Sequence, residues 1–260
     1  MERENRIAIN SAWIVIGKVT QIFVGVIIGM LTTRYLGPSN YGLINLGGSY
    51  ISFFTPLYTL GLSGILVNEL IKRPDKKGEI LGSAIALRLI GSFVSALLII
   101  AWVYIANPSD SALLVVSALQ CIAIFFQWSD LFNYWCQSEL NSKAAVIIQL
   151  IAYLVASAYK IWLLATEKSV AWFAISISFD YILQAIAYLF YFKKRTGQSF
   201  LFKISTATEL LKNSYHYIFS AFGAVLYAQT DKLMLGYYLN TQIKNKYVPA
   251  SKKKFLFNLI

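Results

Sequence analysis

Six ionisable residues that lie inside long apolar stretches of this sequence have types and positions that could support chemistry. Three are cationic and three are acidic: Lys18, Arg88, Lys160, Asp130, Asp180 and Asp231. A charge at the centre of a bilayer costs at least about 2.5 kcal/mol, so such residues need a partner or a function. Because cations suit a phosphate-bearing or otherwise anionic substrate, we interpret Lys18, Arg88 and Lys160 as candidate substrate-binding residues. Lys18 is also close enough to the end of its stretch to extend its ammonium group to the interface.

Polar residues recur at helical spacing in six of the apolar stretches, which predicts helices with one polar face each. In the first stretch, Lys18, Gln21 and Gly25 follow at steps of three and four residues, which places them on one side of a helix. Six such faces can converge on a water-filled cavity. The further residues that we expect to line this cavity, or to bind a coupled ion, are Asp130, Asp180, Asp231, Gln127 and Gln149. The alternative is that these residues only pair with one another and hold the bundle together.

The elements that must position these residues are transmembrane helices. The 260-residue chain is 57% hydrophobic and only 13% charged, whereas a soluble domain carries about 25% charged residues. Seven apolar stretches are long enough for a hydrocarbon core of about 30 Å. They lie at 10–33, 43–70, 80–106, 111–137, 142–165, 169–192 and 213–239. The predicted fold class is therefore all-α, a polytopic transmembrane helix bundle of about seven spans.

The distribution of Lys and Arg predicts how the bundle is oriented. When the stretches alternate in direction, the basic connectors collect on the side of the N-terminus, and the other side receives only Arg34 and Lys168. Cytoplasmic loops carry the excess of positive charge, so we expect a cytoplasmic N-terminus. The net charge of +11 then reflects orientation rather than nucleic-acid binding, since no basic stripe lies on a soluble face.

Pro56 lies within the second apolar stretch, in FFTPLYTLGLSG. Proline removes a backbone donor and clashes with the preceding turn, so we expect a kink or an opened helix there. Gly61 and Gly64 add local freedom. A broken helix is common where a transporter changes shape, although an ordinary kink is an equally open interpretation.

Signals for an enzyme are weak. The only histidine is His216, and it has no partner at metal-ligand spacing. There is no nucleophile elbow and no phosphate-binding loop. We therefore predict no catalytic residue, no metal and no cofactor, and a protein that is not an enzyme.

The connector RYLGPSNYG resembles the first-loop motif of bacterial oligosaccharide-repeat flippases of the Wzx type, which belong to the multidrug/oligosaccharidyl-lipid/polysaccharide exporter superfamily. Three further segments are similar to family motifs: TLGLSG, DLFNYWCQSELNSK and QTDKLMLGYYLN. The resemblance covers residues 1–240. It implies a loop motif at Arg34, Gly37, Pro38 and Gly42, which together with the kink expected at Pro56 forms the predicted loop and hinge motif.

The resemblance also implies a function. Such proteins move undecaprenyl-pyrophosphate-linked oligosaccharide from the cytoplasmic to the outer leaflet of the bacterial inner membrane, for O-antigen or capsule assembly. They alternate access between two lobes, and the cations of the cavity would meet the pyrophosphate. The implied partners are this lipid-linked oligosaccharide, the lipid bilayer and other polysaccharide-assembly membrane proteins, without nucleic acid.

The chain departs from the family pattern in its length. Residues 1–192 would form the N-terminal six-helix lobe, 193–212 the cytoplasmic connection between lobes, and 213–239 the first helix of a second lobe. The Lys-rich segment 240–260 fits no span, so we expect a truncated form with an aberrant tail. Two alternatives stay open: a non-transporting remnant or partner subunit, and an intramembrane polyprenyl-glycan enzyme.

Overall fold

The computed structural model describes residues 2–108 and 110–245, with side chains described for 8–108, 110–230 and 234. The described residues form helices and no strands. The helices are α1 (Glu2–Phe53), α2 (Thr55–Thr59), α3 (Leu66–Lys72), α4 (Lys77–Ala106), α5 (Ser111–Phe126), α6 (Asp130–Ser138), α7 (Ser142–Ala165), α8 (Val170–Thr196) and α9 (Ile204–Asn245). Short 3-10 turns lie at Leu62–Gly64, Pro74–Lys76 and Gln127–Ser129.

Long apolar helices make the chain a multi-pass membrane protein with an all-α fold, as predicted. Five helical stretches of the described residues are long and apolar enough to cross a membrane: Ala8–Phe53, Pro74–Ala106, Ser111–Ser138, Ser142–Ala165 and Val170–Thr196. The boundaries differ from the seven predicted spans. The first of the five contains predicted span 10–33 and the start of span 43–70, and predicted span 213–239 lies within the longer α9.

Helix α1 is interrupted at Gly37, which has φ 71° and ψ 170°. A straight helix over the 46 residues Ala8–Phe53 would be about 69 Å long, more than twice the hydrocarbon core of about 30 Å. A positive φ is readily adopted only by glycine, and Pro38 follows directly. The chain therefore turns back at the predicted loop motif and returns through the second apolar stretch.

The second apolar stretch is broken rather than continuous. Helix α1 ends at Phe53, the short α2 begins at Thr55 with Pro56 in its first turn, and α3 begins only at Leu66. Between them, Leu60 and Gly61 both have left-handed backbone conformations, with φ of 54° and 60°. The interruption predicted at Pro56 is thus present as a break of several residues.

The fourth predicted span, 111–137, is present as the membrane-crossing stretch Ser111–Ser138, but it is not one regular α-helix. The 3-10 turn Gln127–Ser129 separates α5 from α6. Two side chains of α4 bind carbonyl groups at this point: Ser92 Oγ donates to Ile124 O at 3.0 Å, and Arg88 Nη1 donates to Gln127 O at 2.9 Å. Side chains of a neighbouring helix thus satisfy main-chain carbonyl groups at the point where the helix is interrupted.

The connection between α8 and α9 is shorter than the predicted 193–212. Helix α8 continues to Thr196 and is capped by Gly197 in the left-handed region, while α9 begins at Ile204. Three basic residues occupy the last turn of α8, where the helix dipole favours positive charge. The extended segment 197–203 packs across the start of α4, with Leu201 N donating to Gly78 O at 3.2 Å.

Contacts at one end of the bundle link the N-terminal part of α1, the connectors before α4 and α7, and the start of α9. Ser142 N donates to Asn10 Oδ1 at 2.6 Å. The Lys77 ammonium lies 2.5 Å from the Glu139 carboxylate. Arg73 forms a two-pronged ion pair with Glu209 of α9, with Nη1 2.8 Å from Oε2. We call this the N-terminal end of the bundle.

The opposite end is defined by the turn at Gly37 and the connection after α7. There, the Tyr35 hydroxyl donates to the main-chain oxygen of Lys168 at 3.2 Å. The basic connectors of the sequence therefore lie together at the N-terminal end, while Arg34 and Lys168 lie at the opposite end. The predicted charge asymmetry corresponds to two physical ends of the molecule. Residues 246–260, in the segment predicted as an aberrant tail, lie outside the described residues.

A polar cluster at the helix breaks as the candidate functional site

Arg88 is the centre of a polar cluster between the breaks in the second and fourth apolar stretches. Its side chain is only 2% exposed. Nη1 donates to Gln127 O at 2.9 Å and lies 3.9 Å from Asp130 Oδ2, whereas Nε has no hydrogen-bond partner in the described part of the chain. The Asp130 side chain is 36% exposed. The buried guanidinium therefore faces a carboxylate that is itself open to its surroundings.

Three tyrosines lie within electrostatic range of this ion pair. Tyr58 follows the break at Pro56, and its hydroxyl lies 3.0 Å from Thr55 Oγ1. Tyr134 of α6 interacts with Arg88, and Tyr181 of α8 interacts with both Arg88 and Asp130. Phenol groups can donate to a carboxylate or accept from a guanidinium. They give the cluster polar groups that carry no net charge.

A second pair of opposite charges lies beside the first. Lys160 of α7 and Asp180 of α8 attract each other, and Gln184 Nε2 donates to Asp180 Oδ1 at 3.0 Å. Both side chains are half-buried. Each charge lowers the cost of placing the other between apolar helices.

The two pairs form one electrostatic network. Asp130 is attracted by Arg88 and also by Lys18 of α1, and it is repelled by Asp180. Lys18 is exposed, in contrast to the buried Arg88. The structure thus places each of the three predicted cations within electrostatic range of one of two predicted acids. Of these three cations, Lys18 is exposed, Lys160 is half-buried and Arg88 is buried.

A separate groove of about 660 Å³ runs along α1. It is lined by Ile22, Gly25, Val26, Gly29, Met30, Thr33, Arg34 and Tyr41. Its cation is Arg34, so it is not the cavity lined by three cations that the helical faces predicted. The groove adjoins the polar cluster through Gly25, because a Cβ at this position would lie 2.8 Å from the Tyr153 hydroxyl. Tyr153 in turn interacts with Asp180.

Comparison with known proteins gives one family match. A family model described as polysaccharide biosynthesis protein matches residues 7–252. The chain belongs to the polysaccharide biosynthesis protein family. No curated protein and no solved structure matches the chain. The polar cluster and the groove are therefore features of a membrane protein that serves polysaccharide biosynthesis.

Other predicted site residues of this polysaccharide biosynthesis protein lie away from the cluster. Gln149 of α7 contacts Tyr188 in the aromatic core. Gln127 contributes its main-chain oxygen to Arg88, and buried Pro56 lies in the first turn of α2. The side chain of Asp231 lies outside the described residues. The remaining loop-motif residues are at the opposite end of the bundle: Arg34, Gly37, Pro38 and Gly42.

Two members of the cluster were missed by the sequence interpretation. Tyr58 and Tyr181 both interact with Arg88 and Asp130. Tyrosine is abundant in this chain, and its usual place at membrane interfaces made it uninformative. The available signal was position, since Tyr58 follows Pro56 by two residues and Tyr181 follows Asp180 directly. Among the described residues, no group of three or more His, Cys, Asp or Glu could hold a metal ion.

Proposed function

We propose that this protein moves polyprenyl-pyrophosphate-linked oligosaccharide repeat units across the bacterial inner membrane for surface polysaccharide assembly. The observation that carries the proposal is the convergence of Lys18, Arg88 and Lys160 with two carboxylates inside an apolar bundle. Intramembrane ionisable residues mark substrate or ion pathways. Family membership supports the polysaccharide context, and the resemblance of the loop motifs to oligosaccharide flippases supports the lipid-linked substrate.

The cluster suggests a division of roles among the cations. Lys18 is exposed and Lys160 is half-buried, so we assign both to the pyrophosphate. Arg88 is buried against the 3-10 turn that precedes α6, so we assign it to positioning Asp130. Without substrate, the carboxylates balance the cations. A pyrophosphate would replace Asp130 and Asp180 as the partner of the two lysines.

We assign the N-terminal end to the cytoplasm, since it gathers the basic connectors. The substrate would then enter from the side of Arg73 and Lys77 and leave at the side of Lys168. We further propose that the protein is a transporter and not an enzyme, so the lipid-linked sugar leaves chemically unchanged.

The test uses the full chain reconstituted in vesicles that contain a radiolabelled polyprenyl-pyrophosphate oligosaccharide. A membrane-impermeant glycosidase reports the fraction of substrate in the outer leaflet over time. We expect wild type to accelerate exchange between leaflets, and Lys18→Ala and Lys160→Ala to slow it at least several-fold. Lys168→Ala is the matched control, because this lysine lies at the opposite end of the bundle, and it should exchange like wild type.

Two outcomes would overturn the proposal. Exchange in wild-type vesicles that is no faster than in protein-free vesicles would exclude transport by this chain. Chromatography of the recovered lipid could instead reveal a product of altered mass before any glycosidase is added, which would indicate an enzyme. Complementation of surface polymer in a strain that lacks its own flippase checks the result in cells.

A further inference from the structure

The groove on α1 has the length of one membrane leaflet. Its apolar and small residues begin at Ile22, and its basic end is at Arg34. Twelve residues of helix correspond to about 18 Å, and half of a hydrocarbon core of about 30 Å is about 15 Å. The groove can therefore accommodate a chain that reaches from the membrane midplane to the interface.

The basic end of this groove has no partner from the protein. Arg34 is exposed, and within the described part of the chain it makes no hydrogen bond or ion pair. It lies at the opposite end of the bundle, next to Tyr35, whose hydroxyl binds the connection after α7. A free guanidinium at that level faces the headgroups of the bilayer, and it binds phosphate through paired N–H donors.

The floor of the groove is open at its middle. A Cβ placed on Gly29 would meet no atom within 4 Å, and the neighbouring Met30 is 62% exposed. An apolar channel that ends at an unpaired cation is complementary to an amphiphile with a phosphate head.

We propose that this groove is a binding site for a phosphate-headed membrane lipid, with one acyl chain along Ile22–Met30 and the phosphate on Arg34. The site adjoins the polar cluster at Gly25, but its lining includes none of the cations and carboxylates assigned to the transported substrate. Arg34 precedes the break at Gly37 and Tyr41 follows it. A lipid held between these two residues bridges the parts of α1 before and after Gly37 and stabilises the turn there.

The experiment uses the full chain in nanodiscs that contain a trace of phosphatidic acid with a diazirine on one acyl chain. The control probe is diacylglycerol with the same diazirine chain and no phosphate. After illumination, mass spectrometry locates the labelled peptides. We expect phosphatidic acid to label residues 22–41 several-fold more than diacylglycerol, and Arg34→Ala to remove this difference. Arg34→Lys should keep part of it, since a cation remains.

A second variant tests the groove without touching the charge. Gly29→Leu fills open space and should abolish labelling of 22–41, whereas Gly223→Leu also meets no atom within 4 Å at its Cβ and should label like wild type. Equal labelling by both probes, or labelling that survives Arg34→Ala unchanged, overturns the proposal. Absence of labelling together with disulfide-linked dimers of Met30→Cys would show that a second copy covers the groove instead, which also overturns it. Circular dichroism and gel filtration of each variant verify folding.

Discussion

Arg88 of α4 lies 3.9 Å from Asp130 at the start of α6, and the same guanidinium nitrogen donates to the main-chain oxygen of Gln127. One buried side chain therefore binds both sides of the 3-10 turn that interrupts the fourth apolar stretch. This relationship joins the break to the polar cluster, because the turn determines where the Asp130 carboxylate lies. This geometry supports the positioning role proposed for Arg88.

Removing this guanidinium is expected to destabilise the protein. In Arg88→Ala, Gln127 O loses a charge-assisted hydrogen bond and Asp130 loses its nearest cation, which we expect to cost about 1.5–3 kcal/mol. Thermal unfolding of the full chain in detergent would measure this as a lower Tm. Arg195→Ala removes an exposed arginine from the last turn of α8 and should change stability by no more than about 0.5 kcal/mol. Similar Tm values for the two variants would contradict the positioning role.

Gly61 is expected to tolerate no side chain. It has φ 60°, and a Cβ there would lie 2.8 Å from the main-chain oxygen of Ser214 in α9. Gly61→Ala therefore combines a left-handed conformation, which costs an alanine about 1–2 kcal/mol, with a clash against backbone that cannot easily move. We expect a lower Tm and a weaker contact between α9 and the break.

The matched control for this glycine is Gly223 of α9, where a Cβ would meet no atom within 4 Å. Gly223→Ala lies in a helix, so it should be neutral or stabilising by about 0.5–1 kcal/mol. If Gly61→Ala melted at or above the temperature of Gly223→Ala, the close approach of α9 to Gly61 would not hold in solution.

The apolar stretches could be predicted from sequence because a bilayer imposes a length and a hydrophobicity on each crossing. The ends of the bundle could be predicted because the basic residues segregate between connectors. The break at Gln127–Ser129 could not, since it contains no proline or glycine. It depends on donors from Ser92 and Arg88 in another helix, which no local pattern reveals.

The candidate site was accessible to sequence reasoning only in part. Helical periodicity selects the polar side of each helix, and this selected Lys18, Arg88, Lys160, Asp130 and Asp180. Periodicity contains no information on depth within the bundle, so it did not distinguish buried Arg88 from exposed Lys18. Periodicity also did not indicate the groove at Arg34, because that groove combines residues before Gly37 with Tyr41 after it.

The ion pair between Arg73 and Glu209 should make the contact between α3 and α9 dependent on pH. The hydrogen bond from Arg73 holds the pKa of the Glu209 carboxyl below its usual value, which is about 4.3 in an unfolded chain. A lowered folded-state pKa means that the stabilisation is fully present above the unfolded pKa. It is lost as the pH falls through the lowered value.

We therefore expect wild type to exceed Glu209→Gln in stability at pH 7, and the difference to disappear in strong acid. Both side chains are partly exposed, so the difference should stay within about 1 kcal/mol. Thermal unfolding from pH 7 to pH 3 measures it. Glu167→Gln removes an exposed carboxyl at the opposite end and should show no such pH dependence. A constant difference between wild type and Glu209→Gln at every pH would contradict the assignment.

The orientation of the bundle can be tested by labelling single cysteines. Cys121 and Cys136 are both buried, so new surface cysteines should dominate the signal. With the N-terminal end in the cytoplasm, Thr166→Cys should react with a membrane-impermeant maleimide in spheroplasts, and Lys76→Cys should react only after the membrane is opened. The reverse pattern would show that the basic connectors lie on the outer side.

Lys160 and Asp180 allow stability to be separated from transport. Each single change, Lys160→Ala or Asp180→Asn, removes one member of the pair. The other residue then stays between apolar helices without the opposite charge that attracts it. The double variant removes both charges, so it should be more stable than the sum of the single effects predicts. We expect a coupling of about 0.5–3 kcal/mol from thermal unfolding in detergent.

If Lys160 also binds the anionic substrate, the double variant should regain stability yet still exchange lipid-linked oligosaccharide slowly in vesicles. Additive single effects would show that the two residues do not interact. A double variant that transports like wild type would show that Lys160 only balances the charge of Asp180. Of the three cations in the cluster, Lys18 would then be the remaining candidate for binding the pyrophosphate.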